Sequence, residues 1–387
     1  MKYQRHFAFE MPAKIEFGTG IVRRLGEIVQ LTCGGARALV VTDRGIVEAG
    51  IATKVTDVLD AKGIGHVLFA DVQPEPDASG VEAAVELYRS GNCDVIVAVG
   101  GGSALDTGKA VSVMLTNPGH IRDYVGLARI QTPGAPLIAL PTTAGTGSEA
   151  TIWSVISERA RGDKYGVGSA HMVPRVAICD PELTLTLPPR NTAVTGIDAL
   201  AHALESYVNK ATQPVSEALS ERAMEMVARS LRTAVFAGDN VAARADMLLA
   251  STLAAMAFNP TRLGLAHALA MPLGAHAKIP HADVISILLP PVMRFNVSAN
   301  LPKFARIAEL FGEQVSHLSL RQAAEAGVRA VEQLIEDVGA PRSLGLYGVE
   351  ERDLVFYAEE GMRSGNIAVN PRATSQNDLV GIMQACL

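Results

Sequence analysis

Two hydrophobic patterns alternate along the first half of the chain. Short runs rich in Val, Ile, Leu and Ala, typical of buried strands, occur at residues 36–43, 66–72, 94–100 and 136–140. Helical spacing of apolar positions separates them, at residues 51–61, 79–89 and 103–116. Strands that are apolar throughout and are separated by helices predict a parallel sheet with both faces covered. Further β-like runs lie between residues 155 and 180.

The pattern changes after residue 187. From there almost every apolar stripe has helical periodicity, at residues 191–209, 214–236, 241–258, 264–277, 282–296, 302–311, 319–338, 350–364 and 375–385. The sequence therefore predicts an α/β domain over residues 1–187 and an all-α domain over residues 188–387.

Composition narrows the class of protein. Of the 387 residues, 48% are hydrophobic and 19% are charged, which permits a large core and argues against disorder. The net charge of −6 is spread without blocks of like charge, so we expect no nucleic-acid or anionic-membrane partner. The four cysteines lack metal or redox spacing, residues 1–7 contain no apolar signal core, and we find no membrane-spanning run. We expect a cytoplasmic protein with reduced thiols.

The first candidate functional residues are histidines within an apolar segment. The small, apolar stretch 264–281 contains His267, His276 and His281, and an unsatisfied buried imidazole is costly. Upstream, Asp198 and His202 are four residues apart and would share one face of a helix. Asp198, His202, His267 and His281 would form an O/N metal site, suited to Fe, Zn, Ni or Mn.

Simpler interpretations of these residues remain open. An ordinary amphipathic helix would show the same polar stripe, which continues through Glu205 and Asn209. His267 could be a satisfied core histidine and His281 a residue that merely begins a helix. We expect His276 to be exposed.

A glycine-rich turn is the second candidate. Gly100, Gly101, Gly102 and Ser103 follow a strand and begin a helix, an arrangement that can bind phosphate, although the spacing matches no common nucleotide fingerprint. Asp43 ends an earlier strand, where an acid can bind a ribose 2′-hydroxyl and disfavour NADP. The Thr/Gly run 141–148 follows another strand. Each feature also has a simpler interpretation, as an ordinary turn or loop, and the two later features favour the cofactor-binding interpretation of the glycine turn.

Four motifs together resemble the iron-containing (group III) alcohol dehydrogenase family. Residues 100–109 are similar to its GGGSxxDxxK motif, and residues 141–149 to PTTAGTxSE. Residues 196–202 are similar to GxDAxxH, and residues 264–281 to the block that contains the last two histidine ligands. The resemblance covers nearly the whole chain. It implies an NAD-binding α/β domain followed by an all-α domain, a fold related to dehydroquinate synthase.

The resemblance also implies roles for individual residues. Asp198, His202, His267 and His281 correspond to the catalytic metal ligands, with Fe2+ favoured and Zn2+ as the alternative. The implied NAD contacts, with NADP disfavoured, are Asp43 at the ribose, Gly100, Gly101, Gly102 and Ser103 at the pyrophosphate, and Asp106, Thr142, Thr143 and Lys164 elsewhere along the cofactor. Family members are commonly cytoplasmic homodimers or larger assemblies.

The implied reaction interconverts a short primary alcohol, diol or hydroxy acid and its aldehyde or ketone, by hydride transfer to NAD from a metal-bound alkoxide. The alternatives are a dehydroquinate synthase-type NAD- and metal-dependent lyase and a non-catalytic nucleotide-binding homologue. Two positions depart from the family: Met271 replaces a usual histidine, and Ala282 follows His281 where glycine is typical. Arg262 could favour an acidic substrate or could simply be exposed.

Overall fold

A computed structural model describes residues 6–11, 13–159, 161 and 163–387, with the side chain of Cys33 left out. Residues 1–5, which form most of the segment without a signal core, lie outside the described residues. The chain divides into two compact units. One spans residues 11–187, and the other spans residues 188–387 together with residues 6–10. The first unit contains the strands and the second is helical.

A six-stranded parallel sheet forms the centre of the first unit, as the apolar runs predict. Its strand order is β1-β9-β6-β4-β2-β3, and a smaller sheet has the order β5-β8-β7. The strands are β1 (Lys14–Phe17), β2 (Arg37–Val41), β3 (Gly65–Phe69), β4 (Val95–Gly100), β5 (Gly126–Leu127), β6 (Leu137–Pro141), β7 (Trp153–Glu158), β8 (Asp163–Gly168) and β9 (Val176–Cys179). The helices are α1 (Leu25–Cys33), α2 (Arg44–Glu48), α3 (Ile51–Asp60), α4 (Ala78–Ser90) and α5 (Gly102–Met114).

Successive residues of each strand face opposite sides of the sheet and enter different cores. On β2, Leu39 and Val41 pack in one buried cluster with residues of α4 and α5. Ala38 and Val40 pack in a second cluster with residues of α1 and α3. Each fully buried Leu or Val side chain contributes about 1.5–3 kcal/mol. This double coverage is why the strands contain so few polar residues.

Short 3-10 turns connect several of these elements. They occur at Ile21–Arg24, Ile121–Tyr124, Ser148–Ala150, Ala170–Met172 and Pro181–Thr184. Asp180, fully buried after β9, accepts hydrogen bonds from the backbone N–H groups of Gly20 and Val22, both at 3.0 Å. The segment that follows β1 is therefore tied to the end of β9.

The second unit is helical from Pro189 onward. Its helices are α6 (Pro189–Val208), α7 (Pro214–Phe236), α8 (Val241–Thr261), α9 (Leu265–Ala277), α10 (His281–Asn296), α11 (Leu301–Leu310), α12 (Leu320–Asp337), α13 (Leu354–Met362) and α14 (Gln376–Gln384). Short 3-10 turns lie at Val297–Ala299, Leu344–Tyr347, Glu351–Asp353 and Ile367–Val369. The predicted helices are all present, with ends that shift by a few residues.

Helix α8 is long and apolar enough to cross a membrane by length and composition alone, although the sequence was expected to contain no membrane-spanning run. In this fold, 61% of its most apolar window is buried inside the protein. Helix α8 packs against α6 and α7. The apolar composition of α8 is therefore accounted for by its place in the core of the helical unit.

Candidate functional site

Helix α6 presents the first two predicted ligands on one face. Asp198 and His202 lie one turn apart and are almost fully buried, with 2% and 5% of their surfaces exposed. The Nε2 atom of His202 is 3.7 Å from Oδ1 of Asp198. The i, i+4 spacing directs both side chains to the same point. His202 also contacts the ring of Phe258, with the centroids 4.7 Å apart.

Helices α9 and α10 bring two further histidines to the same carboxylate oxygen. The Nε2 atoms of His267, on α9, and His281, the first residue of α10, lie 3.5 Å and 3.7 Å from Asp198 Oδ1. Donor atoms of Asp198, His267 and His281 all lie within 4.8 Å of one another. The rings of His202 and His267 stack with centroids 4.7 Å apart. The four residues singled out by the sequence therefore converge.

Buried polar atoms without partners and shifted pKa values distinguish this cluster. Within the described part of the chain, the buried atoms Asp198 Oδ1 and His267 Nε2 have no hydrogen-bond partner. Burial opposes ionisation of Asp198, but the neighbouring histidines outweigh it and hold the pKa of this carboxyl well below its usual range. Burial also opposes protonation of His267, yet Glu205 and Asp198 raise its pKa to about 9.

A divalent ion would satisfy the two orphaned atoms and replace the proton that His267 otherwise retains. One carboxylate oxygen and three imidazole nitrogens are ligands that Fe and Zn accept. His281 is the most open of the four side chains, at 37% exposed. These residues fit a catalytic type of metal site, which needs one accessible side.

Sequence reasoning missed Glu205, which it placed only in a polar helical stripe. Glu205 is 2% exposed and its Oε2 atom lies 2.6 Å from Nδ1 of His267. The same carboxylate accepts hydrogen bonds from the backbone N–H groups of Gly264 and Ala266, both at 2.8 Å. The spacing of Asp198, His202 and Glu205 on α6 was the one available signal, because it puts all three on one face.

Asp283, in the first turn of α10, is a second buried carboxylate near the cluster. Its Oδ2 atom accepts hydrogen bonds from Arg190 at 2.9 Å and from the hydroxyl of Tyr347 at 2.8 Å. Burial and this hydrogen bond raise the pKa of Tyr347 to about 12, so the phenol stays a donor. These contacts fix the start of α10, where His281 lies.

The sequence also singles out three other residues of the helical unit, Met271, His276 and Arg262. Met271 is partly buried one turn after His267. His276 is exposed, as predicted, and its ring meets Phe356 edge-on at 4.9 Å. Arg262 is also exposed and lies against the backbone of Gly365, where an added Cβ would be 2.1 Å from the guanidinium.

In the sheet unit, the glycine turn has no room for side chains. Gly100 ends β4 with φ 150°, and a Cβ on it would lie 2.7 Å from that of Ala104. Gly101 precedes α5, and a Cβ on Gly102 would lie 2.7 Å from the side chain of Thr146. The first turn of α5 thus has backbone N–H groups beside a tight glycine loop, the arrangement that binds phosphate.

Other predicted cofactor residues adjoin this turn. Asp43 caps the start of α2, and its Oδ1 atom accepts a hydrogen bond from the Ile46 N–H at 3.0 Å. Thr142 is buried, and its N–H donates to the carbonyl of Gly100 at 3.0 Å. Thr143 is the neighbour that a Cβ on Gly101 would meet, at 3.3 Å. The structure therefore brings Asp43, Thr142 and Thr143 to the glycine turn.

Asp106 and Lys109 hold the segment that follows Thr143. The two oxygens of Asp106 accept hydrogen bonds from the Ser148 hydroxyl at 2.5 Å and the Val155 N–H at 2.8 Å. Lys109 is completely buried, donates to Thr151 at 2.9 Å and lies 3.6 Å from Asp106. Burial lowers the pKa of Lys109. Asp106 is thus engaged within the protein.

Two further predicted residues have polar partners in the loop before α4. The Lys164 ammonium, mostly buried on β8, lies 2.9 Å from Oε1 of Glu75. The hydroxyl of Ser103 donates to the carbonyl of Pro74. Both contacts are made to residues 74 and 75, so this loop links the start of α5 to the small sheet.

Comparisons with known proteins agree over nearly the whole chain. The family model described as iron-containing alcohol dehydrogenase matches residues 12–181, and the model of the family's C-terminal domain matches residues 192–387. The chain is 39% identical over 382 residues to 1,3-propanediol dehydrogenase of Klebsiella pneumoniae, and the match covers 98% of each.

Solved structures give the same result. A crystal structure of 1,3-propanediol oxidoreductase superposes with a TM-score of 0.96 at 39% identity, covering 99% of this chain and 100% of that one. Sulfoacetaldehyde reductase from Bifidobacterium kashiwanohense, solved in complex with NAD+, superposes with a TM-score of 0.90 at 31% identity, covering 99% of both chains.

Proposed function

The chain belongs to the iron-containing alcohol dehydrogenase family, and from this premise we propose that it is a metal-dependent, NAD(H)-linked oxidoreductase. Its substrate would be a short primary alcohol, diol or hydroxy acid, interconverted with the aldehyde or ketone. The observation that carries the proposal is the convergence of three imidazole Nε2 atoms on Asp198 Oδ1, at 3.5–3.7 Å. We propose Asp198, His202, His267 and His281 as the metal ligands, for Fe2+ first and Zn2+ second.

The ion would supply Lewis-acid chemistry at the substrate oxygen, and NAD would accept or return the hydride. Asp198 and three neutral imidazoles carry one negative charge between them, so a divalent ion leaves the site with a net positive charge suited to an alcohol oxygen. His202, His267 and Asp198 are nearly closed to solvent, which strengthens electrostatic interactions within the site.

For the cofactor, we propose that Gly100, Gly101, Gly102 and Ser103 bind the pyrophosphate through backbone N–H groups at the start of α5. Asp43 would bind the adenosine ribose and exclude the 2′-phosphate of NADP. Thr142, Thr143 and Lys164 would line the cofactor. Asp106 would act indirectly, because its oxygens already hold Ser148 and Val155.

A dehydroquinate synthase-type lyase and a non-catalytic homologue are not favoured. Such a lyase would turn over without net redox change, whereas the relatives are named as a dehydrogenase, an oxidoreductase and a reductase. A non-catalytic homologue would have no reason to keep four converging ligands. We further propose a cytoplasmic location and a homodimer or larger homo-oligomer, in line with the family.

The test is absorbance at 340 nm on anaerobically purified protein reconstituted with Fe(II), with Zn(II) or with no metal. Short alcohols, diols and hydroxy acids are supplied with NAD or NADP, and the aldehydes with NADH. We expect metal-dependent accumulation of NADH from a simple alcohol, with NAD preferred. Full activity of the metal-free protein would contradict the ligand assignment, and turnover without net NADH would favour the lyase.

A further inference from the structure

A carboxylate that is not itself a predicted ligand holds one of the four histidines. Glu205 lies on α6 one turn after His202, and its Oε2 atom is 2.6 Å from Nδ1 of His267. Glu205 is 2% exposed, so water neither competes for this hydrogen bond nor screens it. A buried carboxylate accepts hydrogen bonds, which means that Nδ1 of His267 carries the proton that it donates.

The position of that proton decides which nitrogen can bind an ion. In a neutral imidazole with Nδ1–H, the lone pair is on Nε2. Nε2 of His267 is the atom that lies 3.5 Å from Asp198 Oδ1, and among the described residues it has no hydrogen-bond partner. Glu205 therefore selects the tautomer whose free nitrogen faces the other three ligands.

The same carboxylate fixes the helix that bears His267. Gly264, the residue before α9, has no side chain to cap the helix, and Glu205 accepts the N–H groups of Gly264 and Ala266 instead. A Cβ on Gly264 would lie 2.8 Å from Oε1 of Glu205, so glycine is required for this approach. One side chain of α6 thus sets both the position of α9 and the tautomer of its histidine.

We propose that Glu205 is a positioning residue for metal binding, which acts by holding His267 in the Nδ1–H tautomer. The inference rests on the proposed metal site. Partners of metal-bound histidines typically account for a 10- to 100-fold difference in metal affinity. Glutamine at position 205 could offer its amide N–H to Nδ1, which would move the ring proton to Nε2 and block the ligand atom.

Asn209 provides a matched control, because it braces the same turn without touching His267. Its side-chain amide donates to the carbonyls of Thr261 and Arg262 at 3.2 Å and 3.1 Å. Loss of Asn209 should loosen the connection between α8 and α9 and leave the histidine tautomer alone. A purely structural role for Glu205 would make the two residues equivalent.

The experiment measures the dissociation constant for Zn2+, by competition with a chromophoric chelator, in the wild type, Glu205→Gln and Asn209→Ala. We expect Glu205→Gln to weaken binding roughly 10- to 100-fold and Asn209→Ala to leave it within about threefold while lowering the melting temperature. Equal losses in both variants, or wild-type affinity in Glu205→Gln, would overturn the proposal. A wild type that binds no Zn2+ or Fe2+ would instead overturn the proposed metal site, and this inference with it.

A second measurement does not depend on Glu205→Gln and covers the case in which that variant does not fold. Histidine 15N NMR of the wild-type protein loaded with Zn2+ reports the protonation of each ring nitrogen, and His267→Ala identifies the signal. We expect a protonated Nδ1 for His267 that is coupled to its slowly exchanging proton. An Nδ1 without a proton would refute the role assigned to Glu205.

Discussion

Asp43 faces Gly100 across two adjacent parallel strands: a Cβ on Gly100 would lie 3.4 Å from Oδ2 of Asp43. The other oxygen, Oδ1, is used to cap α2 through the N–H of Ile46. The carboxylate is therefore fixed by one oxygen while the second is directed at the glycine turn. A substitution can therefore remove the negative charge of Asp43 and still keep the hydrogen bond that caps α2.

Replacement of Asp43 by asparagine should relax the preference for NAD over NADP. The amide oxygen can still accept from Ile46, so α2 keeps its cap, while the charge that would repel a 2′-phosphate is lost. We expect the ratio of kcat/KM for NADP to that for NAD to rise about tenfold or more, which corresponds to ~1.4 kcal/mol. Glu48→Gln, on the exposed end of α2, is the control. An unchanged ratio would remove Asp43 from cofactor selection.

Alanine at Gly102 should damage the glycine turn. Its Cβ would lie 2.7 Å from Cγ2 of Thr146, so the loop after Thr143 must shift. We expect a loss of about 1–3 kcal/mol in the free energy of unfolding, measured in urea, and weaker NAD binding by calorimetry. Gly80→Ala on α4 meets nothing within 4 Å and should instead gain about 0.5–1 kcal/mol. Equal effects at the two positions would contradict this account.

Two histidines of α9 should differ completely in their effect on bound metal. His267 is buried in the cluster, whereas His276 is exposed on the same helix. We expect His267→Ala to lose bound metal and activity, and His276→Ala to keep both, as measured by elemental analysis and NADH production. Treatment of the wild type with a chelator should abolish activity, and added Fe(II) should restore it. Full metal content in His267→Ala would refute its assignment as a ligand.

Arg262 has a backbone conformation that is essentially restricted to glycine, with φ 63° and ψ −170°. Its N–H donates to the carbonyl of Phe258, and Asn209 holds its carbonyl, so the surroundings impose the strain. Arg262→Gly and Arg262→Ala both remove the guanidinium, but only glycine relieves the backbone. We expect the glycine variant to be more stable by about 1 kcal/mol, measured by thermal or urea unfolding. A more stable alanine variant would argue against strain.

The same pair of variants tests the idea that Arg262 favours acidic substrates. An exposed guanidinium against Gly365 is compatible with a purely structural residue. If Arg262 recognises a substrate carboxylate, both variants should lose efficiency toward hydroxy acids and keep it toward neutral alcohols. Unchanged relative efficiency toward the two classes would remove the hypothesis.

Cys386 should resist alkylation in the folded protein. Burial raises the pKa of its thiol to about 12, and its Sγ atom lies 3.3 Å from the carbonyl of Ile382. A raised pKa means less of the reactive thiolate at pH 8 than in the unfolded chain, where the pKa is about 8.5. We expect iodoacetamide labelling of Cys386, followed by mass spectrometry, to be at least ~100-fold slower without urea than with it. Similar rates in both conditions would show that the thiol is accessible.

The large elements could be predicted because a strand buried on both faces is an unbroken apolar run, and a helix buried on one face has apolar residues at helical spacing. Helix α7 begins at Pro214 and ends at Phe236, as its apolar spacing predicts. Helix α8 continues through Pro260 to Thr261, past the predicted end at residue 258, although proline lacks the N–H that would bond to the preceding turn.

Strand β1 and helix α2 lack such a pattern and were missed for that reason, whereas helix α1 was missed although its buried residues Leu25, Ile28 and Val29 have helical spacing. Strand β1 is an edge strand in which Lys14 and Phe17 are exposed, so it has no continuous apolar run. Helix α2 has five residues, none of them buried. Short or exposed elements are fixed by their neighbours in the fold and leave little periodicity in their own residues.

The candidate site was predictable where its residues are close in sequence. Asp198 and His202 share one helix face, and this alone suggests a joint role. Glu205 could not be assigned in the same way, because its three hydrogen-bond donors belong to a segment roughly sixty residues later that only the folded chain brings to α6. Two hydrogen-bond partners of Asp106 and Lys109, Val155 and Thr151, are likewise more than forty residues later in the chain.

Strand β1 hydrogen-bonds to β9 and to no other strand of the described sheet. During synthesis, residues 14–17 therefore leave the ribosome long before residues 176–179, their partners, exist. β2, β3 and β4 can pair with one another earlier, so the edge of the sheet that contains β1 must close last. A ribosome-bound chain that stops short of β9 should carry an unprotected amino-terminal segment, and release of β9 from the exit tunnel is the event that completes this unit.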